Sequence, residues 1–211
     1  MSGQVIFPGN KLLTLTANRS PLTAHRLPLT AYRLPLTAYR LPHLSMAQTG
    51  NLPNAEYRRF EGMVEYEAVI DGLIPQTLRT IRVFERALPR AWNSSQRHEM
   101  LRQFLLANRA NRLLVVVHDA EPIERECPRL VDLVRQFSAA VRIHETLSPA
   151  KHVYDPFTVF DSSHYVHRFH YQYLRAAHGT NDVIGAQQLL DRFSEIWDAS
   201  THAVSAGTSG L

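Results

Sequence analysis

The segment "RLLVVVHD", residues 112–119, runs apolar without interruption from Leu113 to Val117 between a basic start and a polar end. A strand with one wet face alternates between apolar and polar residues. An unbroken run buries both faces, as the central strand of a helix-covered parallel sheet does. Such a strand requires helices on either side of it in the chain, and the flanking sequence supplies them. Tyr66, Val69, Ile70, Leu73 and Ile74 follow helical spacing, and Pro75, near the end of that helix, should kink or stop it. IRVFERA (81–87) reads as a strand, and Asn93 or Ser94 is placed to cap a helix whose Leu101, Phe104 and Leu105 share one face. Beyond Pro122, the residues Leu130, Leu133, Val134 and Phe137 form a second helical stripe.

AVRIHE (140–145), FTVFD (157–161) and YVHRFHY (165–171) are strand-like, and Ser162, Ser163 and His164 join the last two as a hairpin. A final helix carries Ile184, Leu189, Leu190, Phe193, Ile196 and Trp197 on one face. The order β-α-β-α-β, then a strand pair, then a helix predicts one α/β domain over residues 60–200. Its sheet is expected to be mostly parallel and flanked by helices. THAVSAGTSGL (201–211) offers nothing to pack and is expected to be a disordered C-terminal tail.

Ahead of this domain, "PLTAHRLPLTAYRLPLTAYRLPHL" (21–44) repeats a seven-residue phrase, with Pro21, Pro28, Pro35 and Pro42 in register. A proline in every heptad removes helix hydrogen bonds and forbids a coiled coil, and seven residues are too few for a solenoid unit. Residues 1–45 therefore read as a low-complexity Pro/Arg tail. It is either disordered or not translated, with Met46 opening the natural chain. As a working segment it would resemble a transit peptide or a tether to an anionic surface.

The tail also decides what the net charge of +4 means. Five of the 23 basic residues lie in residues 1–45, which hold no acid, and the other 18 face all 19 acidic residues. The domain therefore carries no electrostatic case for nucleic acid. No apolar run reaches the roughly 20 residues of a spanning helix, so no membrane association is expected. One cysteine, Cys127, leaves no internal disulfide or Cys-rich zinc site, and a reducing cytoplasm is the default location.

In open parallel sheets the ligand crevice lies beyond the carboxyl ends of the strands, where Arg86, His118, Asp119 and Asp161 are expected. His118 and Asp119 form a candidate acid/base pair, although adjacent strand residues point oppositely and Asp119 suits a turn cap. Arg168 is a candidate anion contact, with an ion pair to Asp161 or Asp155 as the plainer reading. His164, His167 and His170 alternate faces on a strand, so no metal site is assigned, and no cofactor is expected. G-x-S-x-G, Walker and G-x-G-x-x-G motifs do not occur. Trp92 lines either a cleft or a partner surface.

IRVFERAL, LLVVVHDAEP, CPRLVDLVRQF, YDPFTVFDSSHYVHRFH and LLDRFSEIWDAS appear in an order that resembles the phospholipase D-like fold. The likeness is greatest to a bacterial branch of small domains of unknown function, sometimes attached to GNAT-type acyltransferases. It implies a single half-unit of that fold. Active members carry H-x-K-x-x-x-x-D, in which the histidine attacks phosphorus and the lysine holds the phosphoryl oxygens.

Matched at Asp161, that motif places Tyr154 at the histidine and Pro156 at the lysine. No shift of register restores it, because the residues two before Lys11 and Lys151 are Gly9 and Pro149. The resemblance thus implies the fold while the residues deny the reaction. The expected function is a non-catalytic accessory or interaction module, a pseudoenzyme forming a homodimer or joining a GNAT-type acyltransferase. The alternative is an enzyme or binding protein for a phosphorylated or nucleotide-like ligand at the strand ends. Its candidate catalytic residues are His118, Asp119 and Asp161, and its candidate ligand contacts are Arg86, Tyr154 and Arg168.

Overall fold

The structure, a computed structural model, describes residues 52–204. The repeat tail and residues 205–211 lie outside the described residues. The described segment begins with strand β1 (Glu56–Glu61) and helix α1 (Met63–Leu73), continues through β2 (Thr80–Glu85), α2 (Ser95–Ala107) and β3 (Arg112–Val117), and turns through α3 (Ile123–Glu126) and α4 (Pro128–Gln136). It then forms β4 (Val141–Thr146), β5 (Phe157–Phe160), β6 (His164–Arg168) and β7 (Arg175–Thr180), and closes with α5 (Val183–Asp198) and β8 (Ser200–Val204).

Local chemistry sets the helix ends. Pro75 is the second residue of a short 3-10 turn (Ile74–Gln76) directly after α1, and Thr77 Oγ1 donates to Leu73 O at 2.8 Å. Ser94 Oγ accepts the Arg97 N–H at the start of α2, and Asp182 Oδ1 accepts the Gly185 N–H at the start of α5.

The eight strands of the described residues form one sheet in the order β1-β7-β6-β5-β2-β3-β4-β8. β2, β3 and β4 are mutually parallel, while every other neighbouring pair is antiparallel. The sheet is therefore mixed, not mostly parallel. Parallel neighbours need a crossover of a dozen or more residues, which α2 and the α3–α4 segment provide. The short turns after β5 and β6 can only reverse the chain.

β3 is a central strand, as its unbroken apolar run requires. Leu113, Val115 and Val117 join the core beneath α1, α2 and α4, while Val116 joins the opposite core beneath α5. Trp92 is buried at 1% exposure with the Arg97 guanidinium 5.0 Å from its ring, so it belongs to the core and not to a cleft or partner surface. On α5 the buried residues are Ala186, Leu189, Phe193 and Ile196, whereas Ile184 is half exposed.

Three strands were not anticipated. β1 is exposed along most of its length and charged, and β7 and β8 are rich in small and polar residues. The expected C-terminal tail is thus ordered through Val204, where β8 pairs with β4, and the domain begins with β1, ahead of residue 60. β7 also needs Gly179, because a Cβ there would lie 2.4 Å from Tyr165 Cε1.

Candidate functional site

One edge of the sheet gathers the carboxyl ends of β2, β3 and β4. Because β5 and β7 run the other way, the same edge carries the starts of those strands together with the ends of β6 and β1. Most of the residues singled out in the sequence lie here, but in different roles.

His118 follows β3, and both of its ring nitrogens are engaged. Nε2 lies 2.7 Å from Val153 O and Nδ1 lies 2.6 Å from Thr146 Oγ1. A carbonyl only accepts, so Nε2 carries the proton and Nδ1 accepts from the threonine hydroxyl. Burial holds the imidazole below its usual pKa, and the Val153 hydrogen bond only partly opposes this. A neutral, doubly bonded histidine has no nitrogen left for a ligand. Asp119 Oδ1 accepts the Glu121 N–H at 3.2 Å, which fixes a turn. The two side chains do not form a pair with each other.

Asp161 lies at the other end of the sheet. β5 runs antiparallel to β2, so the end of β5 meets the beginning of β2. There Asp161 Oδ1 accepts from Arg79 N at 2.7 Å and Thr80 N at 2.9 Å, and Oδ2 accepts from Leu78 N at 2.8 Å. Its backbone sits at φ 54°, and its own N–H donates to Thr80 O. The placement of Asp161 in a strand-end crevice with His118 is thus corrected, because the antiparallel direction of β5 separates them.

Arg86, Tyr154 and Arg168 do converge. The Arg86 guanidinium stands 4.5 Å from the Tyr171 ring centroid, and Tyr154 lies 6.1 Å from Tyr171 and 5.9 Å from His170. Tyr154 is 51% exposed. His170 belongs to the loop after β6 and not to the strand. Beneath this cluster, Arg168 is buried and its Nη2 donates to Tyr171 O. It pairs with neither Asp161 nor Asp155. Asp155 instead contacts His167 at 3.1 Å and Arg192. Burial pushes the Asp155 carboxyl up, but these partners outweigh it and hold its pKa below the usual value.

The charge facing Arg168 is Glu85, which the sequence reading did not single out. Glu85 ends β2 on the inward face, 2% exposed, and accepts the Tyr66 hydroxyl at 2.9 Å. Burial lifts its pKa to about 7 against the opposing pull of Arg168. The Tyr66 phenol is raised well above its usual value, first by burial and then by Glu85. The Arg168 guanidinium lies 5.5 Å from the Tyr66 ring centroid. One strand parity held a clue: Glu85 shares its face with the core residues Ile81 and Val83.

Nearby, the fully buried Arg97 lies 2.6 Å from Asp71 and 2.7 Å from Glu67. The Glu67 contact is close in charge but misaligned as a hydrogen bond, and burial still raises the Glu67 pKa. Among the described residues, no three His, Cys, Asp or Glu side chains cluster to hold a metal.

The fold is a phospholipase D-like α/β fold with a mixed sheet flanked by helices. The chain is similar to Nuc of Salmonella typhimurium, a phospholipase D family member, with 11% identity over 72% of this chain and 99% of that one, at a TM-score of 0.52. It is also similar to TrmBL2, an archaeal chromatin protein described by its mode of DNA binding, with 7% identity over 74% of this chain and a TM-score of 0.54. The match spans 56% of TrmBL2. Such identities show the fold alone. No curated protein sequence matches the chain. Residues 62–205 match the family described as Domain of unknown function (DUF7931), and the chain belongs to it.

Proposed function

We propose that this chain is a degenerate phospholipase D-like half-unit that does not perform phosphodiester cleavage and works as an accessory or interaction domain in a bacterial cytoplasm. The observation that carries this reading is the occupation of the strand-end edge. Where the active motif needs a nucleophilic imidazole and a lysine, this chain has an exposed phenol at Tyr154 and the donor-less Pro156. The motif's remaining carboxylate, Asp161, is spent on three backbone N–H groups at the far end of the sheet. Beneath Tyr154, the space is filled by Arg168, which donates to Tyr171 O, and by the hydrogen-bonded pair of Tyr66 and Glu85.

The partner in this reading is a second copy of the chain or an acyltransferase of the GNAT type. Two measurements test it. Purified protein incubated with bis(p-nitrophenyl) phosphate is expected to release no more nitrophenol than its Tyr154→Phe variant. A tagged chain recovered from its host is expected to carry a stoichiometric partner or to sediment as a dimer. Turnover that vanishes in Tyr154→Phe would overturn the proposal.

A further inference from the structure

The β1–β7 end of the same edge carries an open groove of about 520 Å³, lined by Arg59, Phe60, Glu61, Phe169, Arg175 and Ala176. Its volume is that of a small organic ligand. Its composition is selective. Arg59 is held between two rings, with its guanidinium carbon 5.9 Å from the Tyr57 centroid and 5.8 Å from the Phe169 centroid. Its Nε makes a long contact to Tyr57 Oη at 3.4 Å. No acceptor among the described residues takes the two terminal nitrogens, so a guanidinium fork stands oriented and unclaimed.

Arg175 lies directly opposite Glu61 in the β1–β7 ladder, yet no ion pair joins them among the described residues. Phe60 and Ala176 turn to the core on the other face of the sheet, and the two cationic groups share the open face. Phe169, 42% exposed, offers a ring face beside them. A rigid fork of donors matches the geometry of a carboxylate or phosphate, and an exposed ring matches a planar body. Glu61 at the rim disfavours a second anionic group.

We infer that this groove binds a small aromatic molecule bearing a single oxyanion head group, carboxylate or phosphate, with Arg59 and Arg175 on the head and Phe169 on the ring. The groove is lined by neither Tyr154 nor Pro156, and it uses residues outside the degenerate motif. Its success or failure is therefore separate from the accessory reading, which is read by hydrolysis and partner recovery.

The test is titration of the isotope-labelled full chain with phenyl phosphate and with benzoate, followed by amide NMR. Phenol and inorganic phosphate serve as controls. At least one of the two anions is expected to shift Glu61, Phe169 and Arg175 and to bind about tenfold more tightly than either control, as a charge-assisted bidentate contact added to ring stacking requires. Whichever anion binds more tightly identifies the head group. Arg59→Gln and Arg175→Gln are each expected to weaken binding about tenfold, with no change in thermal midpoint because both side chains are exposed. Equal binding of phenol, or unchanged binding in the Arg59→Gln/Arg175→Gln double variant, would overturn the inference. So would an absence of binding by both anions.

Discussion

The Tyr66 hydroxyl donates to Glu85 Oε1 at 2.9 Å, and both side chains are almost completely shielded from water. Glu85 has a folded pKa of about 7 against an ordinary 4.5, so the fold favours its neutral form. The contribution of this preference is full below about pH 4.5 and is lost as pH rises through 7. A permanently neutral Glu85→Gln variant is therefore expected to match the wild type near pH 5. By pH 8 it should gain up to about 3 kcal/mol on the wild type. Urea unfolding of both proteins at the two pH values measures the difference, and a pH-independent gap would refute the assignment.

Arg97 is fully buried, stacked on Trp92 and paired with Glu67 and Asp71. Arg97→Met removes the charge but keeps much of the volume, leaving two carboxylates together in a partly dry site. A loss of about 2–4 kcal/mol is expected, slightly below the range for a fully buried broken pair because both acids retain some water. Adding Glu67→Gln and Asp71→Asn to Arg97→Met should recover part of the loss in a denaturant melt. No recovery would place the cost in packing against Trp92 instead.

His118 links the end of β3 to Thr146 at the end of β4 and to Val153 beyond it. His118→Ala strands a buried hydroxyl and a carbonyl, so a loss of about 1–3 kcal/mol is expected. Thermal unfolding checks the magnitude. The phosphodiester assay should read the same before and after the change, because this imidazole has no free nitrogen to offer a substrate.

Asp161→Ala deletes the acceptor for three successive backbone N–H groups and places a Cβ-branching-free but L-configured residue at φ 54°. A loss of about 2–3 kcal/mol is expected, while Asp161→Gly, free of the backbone strain, should lose less. Faster amide exchange at Leu78, Arg79 and Thr80 in both variants would locate the damage at the start of β2. Unchanged exchange there would show that the clamp does not hold the strand.

Elements whose sequence has a strong period or an unbroken apolar run were legible. RLLVVV gave its strand and both buried faces, and the stripes at Tyr66–Leu73 and Leu130–Val134 gave their helices because burial repeats with the helical turn. β1, β7 and β8 were not legible. Their stability comes from ladder partners distant in sequence, and alanine, glycine and charged residues carry no period of their own.

The mixed sheet escaped for a related reason: strand direction depends on connection length more than on composition. At the site, Arg86, Tyr154 and Arg168 were singled out from residue type and motif position, and the fold brings them to the same region around Tyr171. Asp161 was misplaced because its strand was read as parallel. Glu85 was missed because a glutamate ending a strand looks like surface until its face is counted.

The two rims of the proposed groove come from opposite ends of the domain's chain, Arg59 and Glu61 from its first strand and Phe169 and Arg175 from beyond β6. The parallel trio β2-β3-β4 closes through nearby crossovers, whereas β1 must wait for β7 to be made before it can pair. Closing that long loop carries a larger entropic cost than the nearby crossovers, so the β1–β7 margin is expected to pair late in folding. Anything lodged in the groove would bridge the first-made and late-made parts of the domain. Its occupancy would then report on completed folding, and it would stabilise the assembled sheet in proportion to how firmly it holds the two rims together.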